Sequence, residues 1–172
     1  MTDVLVISGP AGVGKSTTAF EVSHQLQASG VDHVLIDTDE LDRIYPAPDD
    51  LSDVTERNLG AMWGTFAARG ARRLILVGVY LDRPTELDWV RRAIPDAAIT
   101  CIRLAASDAT LVDRVDRREV GSGRDEQLER TRRQVAAIDA DRRGGVTVID
   151  TDGFGVEESA RRILAIWPAA AV

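Results

Sequence analysis

Lysine is almost missing from this chain. Of its 172 residues only Lys15 is a lysine; the other basic residues (21 − 1 = 20) are arginines. A sequence that uses arginine wherever positive charge is enough, and lysine once, marks a position that needs a compact ammonium on a thin stem. Cysteine is equally scarce. Cys101 stands alone, which excludes an internal disulfide, and its apolar strand-like setting reads as a small buried hydrophobe. Long apolar runs are absent too: the longest have the length of a strand, far short of the roughly 20 residues of a membrane span. The first strand follows the N-terminus directly, with no signal-peptide pattern, so the expectation is a cytoplasmic protein with no membrane partner. Positive charge is in deficit overall. A net charge of −7 and a pI near 4.9 argue against an extended surface for nucleic acid or anionic lipid. Neither His24 nor His33 has metal-ligand spacing; they read as a helix-surface and a strand-edge residue, both without partners.

What is present begins around the lone lysine. Gly9-Pro10-Ala11-Gly12-Val13-Gly14-Lys15-Ser16 fits the phosphate-loop pattern G-x-x-x-x-G-K-[ST]. Glycines let successive backbone N–H groups curl around a phosphate chain, and the lysine reaches past the loop to the outer phosphates. Ser16 offers a hydroxyl to Mg²⁺, while a helix starting near Lys15 aims its positive end at the same anion. The nucleotide-binding set on this reading is Gly12, Val13, Gly14, Lys15, Ser16 and Thr17. Context agrees: Val4-Leu5-Val6-Ile7 is a buried-strand run just before the loop, and Ala19, Val22 and Leu26 recur at helical spacing just after it.

Further on, apolar runs at 33–36, 74–77, 99–102 and 146–149 read as strands. They alternate with helical patterns at 51–69, 84–94, 108–119, 124–139 and 156–167. A hydrophobic content of 44% over this length suits one core, so a single α/β domain spanning 1–172 is expected, with a five-stranded parallel sheet covered by helices on both faces. In such sheets ligands gather beyond the carboxyl ends of the strands. The second strand exits there into Asp37-Thr38-Asp39, the third into Gly78-Val79-Tyr80 and the fifth into Asp150-Thr151-Asp152-Gly153. Some of Asp82, Ser107 and Asp150 are, on this reading, ordinary turn or cap residues.

With these motifs the chain resembles the P-loop small-molecule and nucleotide kinases, the adenylate-kinase-like group. Within it, the chain is most similar to short enzymes of the shikimate kinase and chloramphenicol phosphotransferase type. The resemblance rests on the loop, on Asp37-Thr38-Asp39, and on an Arg-rich helix-loop-helix containing Arg114, Arg118 and Arg124 around Gly121, Ser122 and Gly123. It implies a P-loop NTPase fold with a short lid at about 114–133, a substrate-binding region at about 41–73, ATP and Mg²⁺ as cofactors, and a small-molecule hydroxyl as phosphoryl acceptor. It also implies that Arg114 packs on the adenine, that Arg118 and Arg124 reach the transferring phosphoryl group, and that Asp152 and Gly153 lie against the base.

Physical chemistry supplies tasks for the carboxylates. Asp37 at a strand mouth suits a hydrated Mg²⁺. Asp39, two residues on in extended backbone, would face the same way and accept the acceptor's proton. Helix capping is the structural alternative for this pair, and a salt-bridged solvent face is the alternative for the arginines, since Asp113, Asp116, Glu119, Asp125 and Glu126 lie among them. Trp63 and Phe66 read as core more readily than as pocket walls. The third strand ends without the acid that many P-loop enzymes carry there, and only Gly78 stands where a shikimate kinase would need a glycine triplet. Two other functions stay open: a nucleotide-dependent switch without a small acceptor, and a nucleoside or nucleotide kinase.

Overall fold

The computed structural model describes residues 1–118, 124–140 and 146–167, apart from the side chain of Arg118. The expected turn at Gly121, Ser122 and Gly123 lies outside the described residues, as does the Arg118 side chain.

The chain alternates β1 (Thr2–Ser8), α1 (Lys15–Ala28), β2 (Val34–Asp37), α2 (Leu51–Ala67), β3 (Arg73–Val77), α3 (Pro84–Ala93) and β4 (Ala97–Ala105). Then come α4 (Asp108–Arg118), α5 (Arg124–Ala140), β5 (Thr147–Asp150) and α6 (Val156–Ile166). The five strands run parallel in the order β2-β3-β1-β4-β5.

Alternation along the strands decides which helix goes where. Leu5, Ile7, Ile75, Val77, Ile102 and Leu104 face one side, where Ala19, Val22 and Leu26 of α1 and Ile163 of α6 close over them. Val4, Val6, Ile36, Leu74 and Leu76 face the other, under Leu59 and Trp63 of α2 and Trp89 and Val90 of α3. Trp63 is therefore core, with Phe66 packed against it. Because β1 is covered on both faces, it reads as a nearly continuous apolar run. Local signals set the helix starts: Asp50 accepts the Asp53 N–H at 3.2 Å before α2, and Pro84 occupies the first turn of α3, where its missing N–H costs nothing.

Strand order reverses direction at β1, between β3 and β4, so the carboxyl end of β1 is the switch point at which a crevice opens. The loop 9–14 lies there.

Two expectations need correction. His33 is not partnerless: its Nδ1 lies 2.8 Å from the Val31 carbonyl and its Nε2 2.6 Å from the Ser23 hydroxyl. Asp82 is not a surface turn residue. It accepts from the Ser8 hydroxyl at 2.6 Å and pairs with Arg103, and its side chain is 1% exposed. Asp82, five residues beyond the end of β3, is thus committed to joining Ser8 of β1 to Arg103 of β4. Ser107 and Asp150 do cap and turn, Ser107 Oγ accepting from Thr110 N at 3.3 Å and Asp150 from Asp152 N at 2.8 Å.

Candidate nucleotide and acceptor site

A cavity of about 460 Å³ opens over the loop. Its shape begins with backbone. At Gly9, φ is +143°, and a Cβ there would sit 2.6 Å from the Leu104 carbonyl oxygen, so only glycine lets the loop leave β1 flush against β4. Gly14 precedes α1 with φ +99°, which turns the chain into the helix and leaves the first helical N–H groups facing the cavity. Ala11, Gly12, Val13, Gly14, Lys15, Ser16, Thr17 and Thr18 all line it. The Lys15 ammonium is folded back on the loop, donating to the Pro10 carbonyl at 3.0 Å.

Ser16 and Asp37 meet as the sequence suggests. The Ser16 hydroxyl donates to Asp37 Oδ2 at 2.8 Å, although 21 residues separate them. A hydroxyl beside a carboxylate at a helix start is an oxygen donor set suited to a hard, partly hydrated cation, so these residues fit Mg²⁺. Asp37 Oδ1 also accepts the Asp39 N–H at 3.2 Å and caps a 3-10 turn, Thr38–Glu40. Extended spacing therefore does not align the two carboxylates. The turn brings Asp39 to the cavity instead, opposite Gly78 and Val79 at the exit of β3. Capping and site placement coexist here.

On the far side of β1, Arg114 acts as a strut. Its Nη1 donates to the Val13 carbonyl at 2.8 Å and to Thr151 Oγ1 at 3.0 Å, and Nη2 donates to the Thr151 carbonyl at 3.3 Å. One guanidinium thus ties α4, the loop and the exit of β5 together while lining the cavity. Asp152 and Gly153 are not brought to the cavity wall, whereas Thr151, Phe154 and Val156 are. Asp152 accepts from the Ser107 N–H at 2.9 Å, and its hydrogen bonds with Ser107 are the main reason its carboxyl lies below the usual carboxylate range.

Arg124 is turned away. It grips Asp116 with two hydrogen bonds of 2.7 and 3.1 Å and touches Asp125 at 3.1 Å. Two residues of α5 that the sequence reading did not single out do reach the cavity, Gln127 and Arg130. A third, Gln134, accepts the Ala11 N–H of the loop at 2.7 Å. The spacing of 127, 130 and 134 places them on one helical face, but similar spacings among neighbouring arginines and acids hid the signal. Among the described residues no group of His, Cys, Asp and Glu forms a protein-only metal cage, and no helix is long and apolar enough to cross a membrane.

Comparison with known proteins fits this geometry. The chain belongs to the AAA domain family, whose model matches residues 4–144. Among solved structures it is similar to a sugar kinase from Janibacter sp., at 21% identity and TM-score 0.70 over 99% of this chain and 96% of that one. It is similar also to a gluconokinase from Sinorhizobium meliloti 1021 (20%, TM-score 0.63, 95% and 90% covered) and to the tunicamycin resistance protein of Deinococcus radiodurans (20%, TM-score 0.62, 99% and 98% covered). At these identities what is shared is the fold, that of P-loop kinases. No curated protein matches the chain in sequence.

Proposed function

We propose that the chain is an ATP-dependent kinase of the cytoplasm that moves the γ-phosphoryl group of ATP to a hydroxyl of a small molecule. One observation carries the reading: Ser16 and Asp37 form a hydroxyl–carboxylate pair beside Lys15, and a second carboxylate, Asp39, lines the same cavity. A nucleotide switch has no need of that second acid, whereas a kinase needs a base beside open space.

The N–H groups of 12–17 and the Lys15 ammonium bind the phosphate chain, Lys15 leaving Pro10 to do so. Ser16 and Asp37 would hold Mg²⁺, which supplies charge neutralisation at the β- and γ-phosphates when bound. Phe154 and Val156 offer apolar contact to the base, and Arg114 fixes the loop at the depth the phosphates require. Asp39 orients the acceptor hydroxyl and takes its proton as the new P–O bond forms and the bond to the ADP oxygen breaks. Residues 41–73 supply the acceptor pocket, and 114–133, with Arg118 and Arg124, form a lid whose arginines meet the transferring group after Arg124 exchanges Asp116 for phosphate.

ADP release in the presence of a panel of alcohols, sugars, nucleosides and antibiotics tests this. Turnover stimulated by one class of acceptor supports it. Hydrolysis that no acceptor stimulates, with Asp39→Asn indistinguishable from wild type, overturns it in favour of a switch.

A further inference from the structure

A hydrogen bond from the phosphate loop to Gln134 joins helix α5 to that loop, and the surrounding contacts give it a consequence. Gln134 is 7% exposed, and its Oε1 accepts the Ala11 N–H across 123 residues of sequence. A second tie lies one turn on: Arg83, stacked over the Tyr80 ring at 3.9 Å, donates to the Ala137 carbonyl at 3.2 Å. Between them these contacts fix α5 against the exits of β1 and β3. One turn in the other direction lies Arg130, which lines the cavity and makes no hydrogen bond or ion pair with any described residue. Its neighbours differ. Arg133 pairs with Glu129, Arg124 with Asp116, and Arg114 with loop and strand carbonyls. A guanidinium with no partner among the described residues, held at a phosphate loop by a helix that is itself pinned to that loop, is placed for an anionic ligand.

We infer that Gln134 is a positioning residue: by holding the Ala11 N–H it sets the depth of α5 on the phosphate loop and so places the Arg130 guanidinium for the bound phosphate chain. The inference rests on the nucleotide-binding part of the reading above. It requires that Gln134 act through Arg130, which a hydrogen bond serving stability alone would not do.

The experiment is a double-mutant cycle read by calorimetric binding of Mg²⁺ with the non-hydrolysable analogue AMP-PNP. Arg130→Ala is expected to weaken binding about tenfold, the scale of one charge-assisted hydrogen bond. Gln134→Met keeps the length and bulk of the side chain without the oxygen, and is expected to weaken binding several-fold. The double variant should then bind no worse than Arg130→Ala alone, because the second change removes an effect already lost. Losses that multiply, or Gln134→Met binding like wild type, overturn the inference. Amide exchange at Ala11 in the ligand-free protein gives a check independent of ligand: fast in Gln134→Met, slow in wild type and in Gln134→Glu, which retains an acceptor. Equal exchange in all three also overturns it. Wild-type protein that binds the analogue but phosphorylates no acceptor sinks the kinase reading alone and leaves the cycle to decide this inference.

Discussion

The phosphate loop and the helix pair α4–α5 face the same cavity and are built on opposite principles. The loop is held by backbone. Gly9 fits because Leu104 allows no Cβ, Gly14 turns the chain into α1, and one lysine is supplied with no cationic neighbour inside the motif. The helix pair is held by partner choice among many similar charges: Arg124 takes Asp116, Arg117 takes Asp113, and Arg114 reaches 101 residues back to Val13. A backbone-determined element has one solution readable from eight consecutive residues. A charge-rich helix offers several pairings of nearly equal energy, and the rest of the fold selects among them.

That contrast can be broken experimentally. The largest effect belongs to the loop: Lys15→Ala is expected to lower acceptor-dependent turnover about 10²–10³-fold, the scale of one preorganised charge at a transferring group. Lys15→Arg should do almost as badly, since a planar fork does not fit where an ammonium threads the loop. Wild-type ADP release from purified Lys15→Arg would end the argument from the single lysine. Next comes the pair of Asp82 with Arg103. Asp82→Ala leaves Arg103 buried without its partner, and urea unfolding should register a loss of about 3 kcal/mol or more, the range for a broken buried pair. A loss under 1 kcal/mol would mean that water replaces the carboxylate there.

Asp39→Asn should keep nucleotide affinity and lose about 10²-fold in acceptor-dependent turnover, because the amide keeps the size of the acid but takes no proton. Asp37→Asn should instead raise the Mg²⁺ concentration needed for half-maximal rate. Should Asp39→Asn lower the melting temperature and leave turnover alone, the 3-10 turn is its whole purpose.

The smallest effect is expected at the helix pair. Arg124 hydrogen-bonds Asp116 and holds its carboxyl below the usual carboxylate range. A depressed folded-state value means that the tie is fully present above the ordinary carboxylate range and is lost only as pH falls through that lower value. Exchange protection at 124–128 should therefore persist through mildly acidic pH and fail only in stronger acid. Asp116→Asn should reproduce the acid behaviour at neutral pH with little change in melting temperature. If the tie loosens already in mild acid, Arg124 is bound elsewhere in solution.

Much of the site was legible for a physical reason. The loop, the Ser16–Asp37 meeting and the core placement of Trp63 follow from motif spacing and from strand alternation, which act over a few residues or through a sheet of fixed order. Asp39 was found for a partly mistaken reason, since a turn and not extended backbone carries it to the cavity. Gln127 and Arg130 were missed because helical spacing nominates a face and cannot say what that face meets. Asp82 was missed because its partners, Ser8 and Arg103, stand on strands 74 and 21 residues away.

Sequence alone determined the phosphate loop, the alternation of strands and helices and the two covered faces of the sheet, because glycine conformations, apolar periodicity and a lone lysine act locally. Tertiary structure decided which arginine struts the loop, which one faces the cavity without a partner among the described residues, which acid joins Ser8 to Arg103 and which glutamine joins α5 to Ala11. Those choices depend on distances between residues far apart in the chain, and a hydrogen bond that is strong at 2.7 Å and gone a few ångströms further leaves no trace in the order of the amino acids.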